Sequence, residues 1–294
     1  LNQNNSTPIC SSTPIQFSAN QAQSGSNFSY AWNFGDNTAV STVNTALTTH
    51  TFDSFGTGNQ TYNVDLTVSN KVTGCFTTVN NQSIVVKKSP DASLDIVSTD
   101  GATEFDQSKN VFINCNATVA SPNFLFKAVN ASTTNSTNSG YTINWGDLSP
   151  TENIASSFTS VTHNYTKLGF FNITITSTNA ATSCSTQKTY RFFNGNSPIG
   201  NLDSPGNANS CVPYSYTWNV DPGTFNNPPG TSYIFSVNDG SSPQTFTQET
   251  LTQTITHQFN STSCGIGLPG NKFTVTFEIT NPCDSNAPTT LVSS

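Results

Sequence analysis

The 294-residue chain carries nine Lys and Arg against sixteen Asp and Glu, a net charge of −7. So few cations, with no cluster beyond Lys87-Lys88, cannot neutralise a phosphate backbone, which excludes nucleic-acid binding and attraction to anionic membranes. No apolar run approaches the roughly 20 residues of a membrane-spanning helix, so no membrane insertion is expected.

Asn, Ser and Thr number 38, 39 and 46, yet 21 Phe stand among them, a mixture that suits half-buried strands better than disorder. The chain has no Met, even at position 1, and no basic segment at its start, so a processed chain or a piece of a longer one is expected.

The first periodic segment is Tyr30-Ala31-Trp32-Asn33-Phe34-Gly35-Asp36. Its alternation predicts a strand with Tyr30, Trp32 and Phe34 on one face and a turn at Gly35-Asp36. His50-Thr51-Phe52 follows, and then Tyr62, Val64, Leu66 and Val68 alternate with polar residues up to Asn70. Strands with one face in a core and one in water read this way. Ile84-Val85-Val86 runs into the junction Lys87-Lys88-Ser89-Pro90.

The same blocks then return. Tyr141 to Asp147, with Trp145 and Gly146, is followed by His163-Asn164-Tyr165 and by Phe171, Ile173 and Ile175 leading to Asn179. Tyr190-Arg191-Phe192-Phe193 ends at Gly195-Asn196-Ser197-Pro198. The third set is Tyr233 to Asp239, His257-Gln258-Phe259, and Phe273, Val275, Phe277 and Ile279 leading to Asn281, with an insertion from Ser261 to Asn271.

This repetition predicts an all-β chain of three tandem immunoglobulin-like β-sandwich modules, at residues 1–89, 90–197 and 198–294. The short Pro-containing junctions are expected to restrict neighbouring modules. The third module stops where its last strand would run, so the polypeptide is expected to continue past Ser294.

Asp36 with His50, or Asp147 with His163, could join a serine in a hydrolytic site. The pair recurs with Asp239 and His257, however, and an active site is not usually triplicated, whereas a structural corner is. The reading is therefore an Asp that caps a turn and a His that packs beside a strand. No nucleophile elbow, HExxH, phosphate loop or dinucleotide fingerprint occurs, so no catalytic residue, no cofactor and no enzyme are expected. Asp36, Asp53 and Asp239 offer loop oxygens for calcium, but no Asp-x-Asp-x-Asp run gathers them. Trp32 and Trp145 read as core residues rather than sugar platforms, and Tyr214, Tyr216 and Trp218 as the inner face of an opening strand.

Seven cysteines point to an oxidising compartment, extracellular or at the cell surface. Cys10 and Cys75, Cys115 and Cys184, and Cys211 and Cys283 bracket the three modules, so each pair is expected to staple its own module. Cys264 is left over, as a free thiol or as an alternative partner of Cys211 or Cys283. No Cys-x-x-Cys spacing suggests zinc.

An aromatic strand ending in Gly-Asp, then His-x-aromatic, then an alternating strand ending in Asn resembles the PKD (polycystic kidney disease) domain. Trp32, Asp36, His50, Trp145, Asp147 and His163 carry the resemblance in two modules, while Val237-Asn238-Asp239 and His257 form a divergent third copy. The resemblance implies a spacer or adhesive module. The Asn/Thr/Ser-rich style is similar to large surface proteins of Bacteroidota, including gliding-motility adhesins exported by the type IX secretion system. The implied function is a non-enzymatic stalk or adhesive filament. Its partners would be other modules of the same chain, surface glycans or proteins, and secretion or motility machinery. The alternative is a carbohydrate- or protein-binding accessory module of a secreted degradative enzyme.

Overall fold

The computed structural model describes residues 2–3, 8–20, 27–97, 101, 103–154, 156–203, 211–263, 272–284 and 291–293. Among these the helical content is one 3-10 turn, Pro222–Asn226. The rest is strands and loops, arranged as three tandem immunoglobulin-like β-sandwiches.

Module one contributes β1 (Asn2–Gln3), β2 (Ile9–Cys10), β3 (Ile15–Ser18), β4 (Phe28–Asn33), β5 (Ser41–Val43), β6 (Leu47–His50), β7 (Asn59–Asn70) and β8 (Phe76–Lys87). They form a sheet of order β2-β8-β7-β4-β5 facing a second sheet, β1-β3-β6. Module two contributes β9 (Phe105–Asp106), β10 (Val111–Asn114), β11 (Phe124–Val129), β12 (Gly140–Asn144), β13 (Glu152–Ile154), β14 (Ser160–Tyr165), β15 (Gly169–Asn179) and β16 (Cys184–Asn194). Its larger sheet runs β13-β12-β15-β16-β10-β9 and faces β11-β14. Module three contributes β17 (Tyr214–Asn219), β18 (Ser232–Val237), β19 (Gln244–Thr247), β20 (Thr254–Phe259), β21 (Val275–Thr280) and β22 (Leu291–Ser293). Here β19-β18-β21-β22 faces β17-β20.

Alternation accounts for this layering. On β15 the odd-numbered Phe171, Ile173 and Ile175 are buried while Asn172 between them is exposed. Each module closes on its own aromatic core. Module one packs Phe17, Tyr30, Trp32, Phe34 and Phe52. Module two packs Phe112, Phe126, Tyr141, Trp145, Tyr165 and Phe192. Module three packs Trp218, Tyr233, Phe235 and Phe277.

Every sandwich has two distinct ends. At one end, the tip, β7 turns into β8 with Asn70 opposite Cys75, and β15 turns into β16 with Asn179 opposite Cys184. Asn70 accepts the N–H groups of Val72 and Thr73 on Oδ1, and Asn179 does the same for Ala181 and Thr182. At the other end, the base, β2 lies parallel to the end of β8, with Cys10 beside Lys87. β10 lies likewise beside the end of β16, with Asn114 paired to Asn194 just before Cys115.

The disulfides follow from these positions and differ from the in-module pairing expected. Cys10 bonds Cys184 and Cys115 bonds Cys283, with Cα separations of 5.7 and 5.4 Å. Cys10 and Cys75 sit at opposite ends of the 12-residue β8, which at ~3.4 Å per residue separates them by about 40 Å. Cys115 and Cys184 lie at opposite ends of the 11-residue β16. Neither pair can reach the ~4.4–6.8 Å that a disulfide needs. What does meet is the base of one module and the tip of the next. Cys75 and Cys211 are unpaired and exposed. Cys264 lies outside the described residues.

Polar groups seal the same junctions. Between modules one and two, Ser89 is fully buried and donates through its hydroxyl to Ser11 O, while its N–H is shared by Ser54 O and Ser11 Oγ. Two residues on, buried Asp91 accepts from Ser93, from the Thr133 N–H and from Lys188 Nζ at 3.0 Å. Burial alone would push Asp91 upward, but the Ser93 hydroxyl, the Thr133 N–H and Lys188 hold it below the ordinary carboxylate value. Between modules two and three, Lys109 Nζ donates to Pro282 O and Asp284 O, and Asn281 Nδ2 donates to Asn196 O. Gly230 has φ +92°, and a Cβ there would lie 2.5 Å from the Phe170 ring of module two. The junctions are therefore buried structure rather than tethers.

Candidate functional site

Three positions in the chain present the same arrangement of charged and aromatic groups. The strand β4, β12 or β18 delivers an Asp just beyond its base end, and β6, β14 or β20 delivers a His from the facing sheet. Asp36 Oδ2 lies 2.6 Å from His50 Nε2, Asp147 Oδ2 lies 2.8 Å from His163 Nε2, and Asp239 Oδ2 lies 2.6 Å from His257 Nε2. The pair thus ties one sheet of each sandwich to the other.

The second carboxylate oxygen fixes the turn. Asp36 Oδ1 accepts the N–H and the hydroxyl of Thr38, and Asp147 and Asp239 accept the N–H groups of Ser149 and Ser241 at 3.0 Å. For all three carboxyls burial is the largest influence and acts upward. The bonds from Thr38 or Ser, together with those from His, outweigh it and hold each carboxyl below its ordinary value. An ionised carboxylate only accepts, so each His Nε2 carries the proton and donates it.

Aromatic contacts set the ring. His50 stacks on Phe34 at 3.7 Å with 3° between planes, and His163 stacks on Trp145 at 4.7 Å with 8°. Val237 holds that position in module three, and in place of the stacked contact His257 makes a tilted one with Phe235 at 6.4 Å. The edge contact to the aromatic two residues later is the same in all three, at 4.8, 4.8 and 4.9 Å to Phe52, Tyr165 and Phe259.

The glycine before Asp has a direct steric role. Gly35 and Gly146 have φ of +70° and +78°, and a Cβ would come 2.4 Å from Asn63 O and 2.5 Å from Asn172 O. Asn33 and Asn144 bind their N–H groups through Oδ1. In module three Asn238 replaces the glycine and instead binds the Thr274 N–H at 2.6 Å.

This geometry holds a corner. In a hydrolytic triad the His presents one nitrogen to a carboxylate and the other to a nucleophile. Here the neighbouring hydroxyl of Thr38 bonds the carboxylate itself. Of the calcium candidates, the side chains of Asp36 and Asp239 are only 8% and 7% exposed, not loop-exposed as expected, and both oxygens of each carry donors of their own module. Asp53 accepts the Ser12 hydroxyl at 2.9 Å. Among the described residues no group of three or more His, Cys, Asp or Glu gathers. Trp32, Trp145 and Trp218 are all buried in their cores. Tyr216 packs against the module-three core beside Trp218, whereas Tyr214, expected on the same inner face, is 40% exposed at the strand's start.

The structure also brings in polar residues that no motif announced. Asn138 Nδ2 donates to Tyr141 OH and to Asp91 O, and Asn227 Nδ2 donates to Tyr233 OH and Ile199 O. In both modules the Tyr that opens the Tyr-x-apolar motif is thereby anchored to the preceding junction. Burial raises Tyr233 to about 12, against the Asn227 bond, so it remains a hydroxyl donor.

Fold and repeated corner together define three tandem β-sandwich modules of immunoglobulin-like fold. Residues 2–86 match the PKD domain family. No curated protein matches the chain. Among solved structures, the fibronectin(III)-like modules of Clostridium thermocellum CbhA are similar at 12% identity and TM-score 0.25, over 63% of this chain and 87% of that one. The chicken CNTN1 FN1-FN3 domains are similar at 7% identity and TM-score 0.26, over 97% and 95%. Drosophila OTK extracellular domains 3-5 are similar at 7% identity and TM-score 0.30, over 98% and 93%.

Two outcomes are expected of the corner. Gly35→Ala meets both a left-handed backbone and Asn63 O, whereas Gly58→Ala, at φ +76° with no atom within 4 Å, meets only the backbone penalty. Urea unfolding is expected to show a loss of about 1 kcal/mol for Gly58→Ala and at least twice that for Gly35→Ala; equal losses would contradict the contact. Secondly, the carboxyls of Asp36, Asp147 and Asp239 lie below their unfolded value of 3.8. Their contribution is therefore complete above about pH 4 and is lost as pH falls through the lower folded values. The urea midpoint is expected to drop below pH 4, and less steeply in the Asp36→Asn/Asp147→Asn/Asp239→Asn variant.

Proposed function

We propose that this chain is a segment of a long, repetitive cell-surface protein whose modules form a non-enzymatic, cross-linked stalk or adhesive filament. The observation that carries the reading is that both disulfides among the described residues join successive modules. A bridge within a module stabilises that module alone, whereas a bridge across a junction transmits load from one module to the next. Disulfides form and persist in oxidising compartments, which supports an extracellular location. The outward strand positions are mostly uncharged Asn, Ser and Thr, suited to many weak contacts with surface glycans or proteins. The similarity in style to Bacteroidota adhesins supports export by the type IX system and a role in gliding motility. An accessory sugar-binding module would want an exposed aromatic platform, and the three Trp are in cores.

Pulling the chain by its ends tests the stalk. With both bridges closed, the shortest covalent route crosses from Cys10 to Cys184, returns to Cys115 and crosses to Cys283, so its longest stretch is the 69 residues between Cys115 and Cys184 (184 − 115). At about 3.5 Å per residue the oxidised chain is expected to reach a stretched length of about 300 Å, and the reduced chain about 1,000 Å. Equal extension in both states would contradict a load-bearing role.

A further inference from the structure

We propose that Cys75 and Cys211 are the two open halves of an intermodule disulfide ladder, and that each is completed by the complementary cysteine of another PKD-like module stacked end to end. The inference stands on the stacking geometry and does not depend on the stalk reading.

Each module carries one cysteine near its base and one at or near its tip. Cys10 and Cys115 hold equivalent base positions, beside Lys87 and beyond the Asn114–Asn194 pair, each two residues before a Ser-Pro junction on the neighbouring strand end. Both bond the tip cysteine of the following module. Cys75 is the tip cysteine of module one: Asn70 faces it as Asn179 faces Cys184, and the residue before each, Gly74 or Ser183, has positive φ. Cys211 precedes β17, whose Tyr214 pairs with Phe259 at the base of module three. Among the described residues one unpaired tip and one unpaired base therefore remain at opposite ends of the stack, and both are exposed.

The surface around Cys75 supports an occupant of the same kind. Cys184 and Thr182 at the tip of module two are buried by stacking on module one, where Lys188 lies over the Phe55 ring at 5.7 Å. At the tip of module one, Val72 and Phe76 flank Cys75 at 73% and 72% exposure, and Val79, at the place of Lys188, is also exposed. An apolar rim around an unpaired thiol fits the base of a module like those already seated on the other two tips.

Bond formation needs a two-electron oxidant, and a small disulfide such as oxidised glutathione supplies it. One protein thiolate attacks it and releases a glutathione thiolate, and the second protein thiolate then attacks the mixed disulfide and releases another. Two protein thiols thus become one bridge, and the oxidised glutathione becomes two thiols.

The test uses a second copy of this chain as the incoming module, in a Cys264→Ser background. In an oxidised-glutathione buffer the parent is expected to form a head-to-tail series of oligomers on a non-reducing gel. Cys75→Ser and Cys211→Ser are each expected to stay monomeric alone. Mixed one to one, they are expected to give dimers and nothing larger, with a single linked peptide pair, Cys211 of one copy to Cys75 of the other. Cys75–Cys75 or Cys211–Cys211 linkage, or no dimer in the mixture while Cys10–Cys184 and Cys115–Cys283 remain closed, would overturn the proposal.

Discussion

A disulfide joins two cysteines only where their Cα atoms come within about 4.4–6.8 Å, and in an elongated sandwich the two ends of one strand never do. That constraint organises this chain. Cysteines placed near the base and tip of each module cannot close on each other, so they close across the stack. Each bridge encloses a loop of 174 or 168 residues, which on the chain-entropy account is worth about 5 kcal/mol when formed singly.

The bridges need the ends of the modules to be shaped for each other, and the buried junction polar groups do this. Ser11, Ser89 and Asp91 at one junction, and Asn196, Asn227 and Asn281 at the other, turn what the sequence presents as short Pro-containing connectors into packed structure. The Asp–His corner acts one level down, within each module. It ties the two sheets at the base through one charge-assisted bond and fixes the turn that follows the strand, so that Gly35 and Gly146 can approach the neighbouring backbone.

Much of this is legible in the residues because it is local. Alternation of Tyr30, Trp32 and Phe34 with polar neighbours marks the inward face, and the recurrence of Gly-Asp, His-x-aromatic and strand-Asn marks the repeat. The role of Asp36 as a turn acceptor follows from its place after Gly35, and the burial of Trp32 and Trp145 from their place in the alternation. Cysteine connectivity is not local. Cys10 and Cys75 bracket a module in sequence while lying at opposite ends of it in space, and only the strand register separates the two. Asn138 and Asn227 were equally unreadable, since an Asn in an Asn-rich loop gives no signal that it will be buried against a tyrosine hydroxyl. The replacement of Phe34 and Trp145 by Val237 was readable as divergence, and its consequence, an unstacked His257, follows directly.

The account stands on the connectivity across the junctions. Peptide mapping of the chain, digested without reduction after its free thiols are blocked, reads that connectivity. The expected linked peptides pair Cys10 with Cys184 and Cys115 with Cys283, with Cys75 and Cys211 recovered as blocked thiols from the monomer. Peptides pairing Cys10 with Cys75 or Cys115 with Cys184 would contradict it.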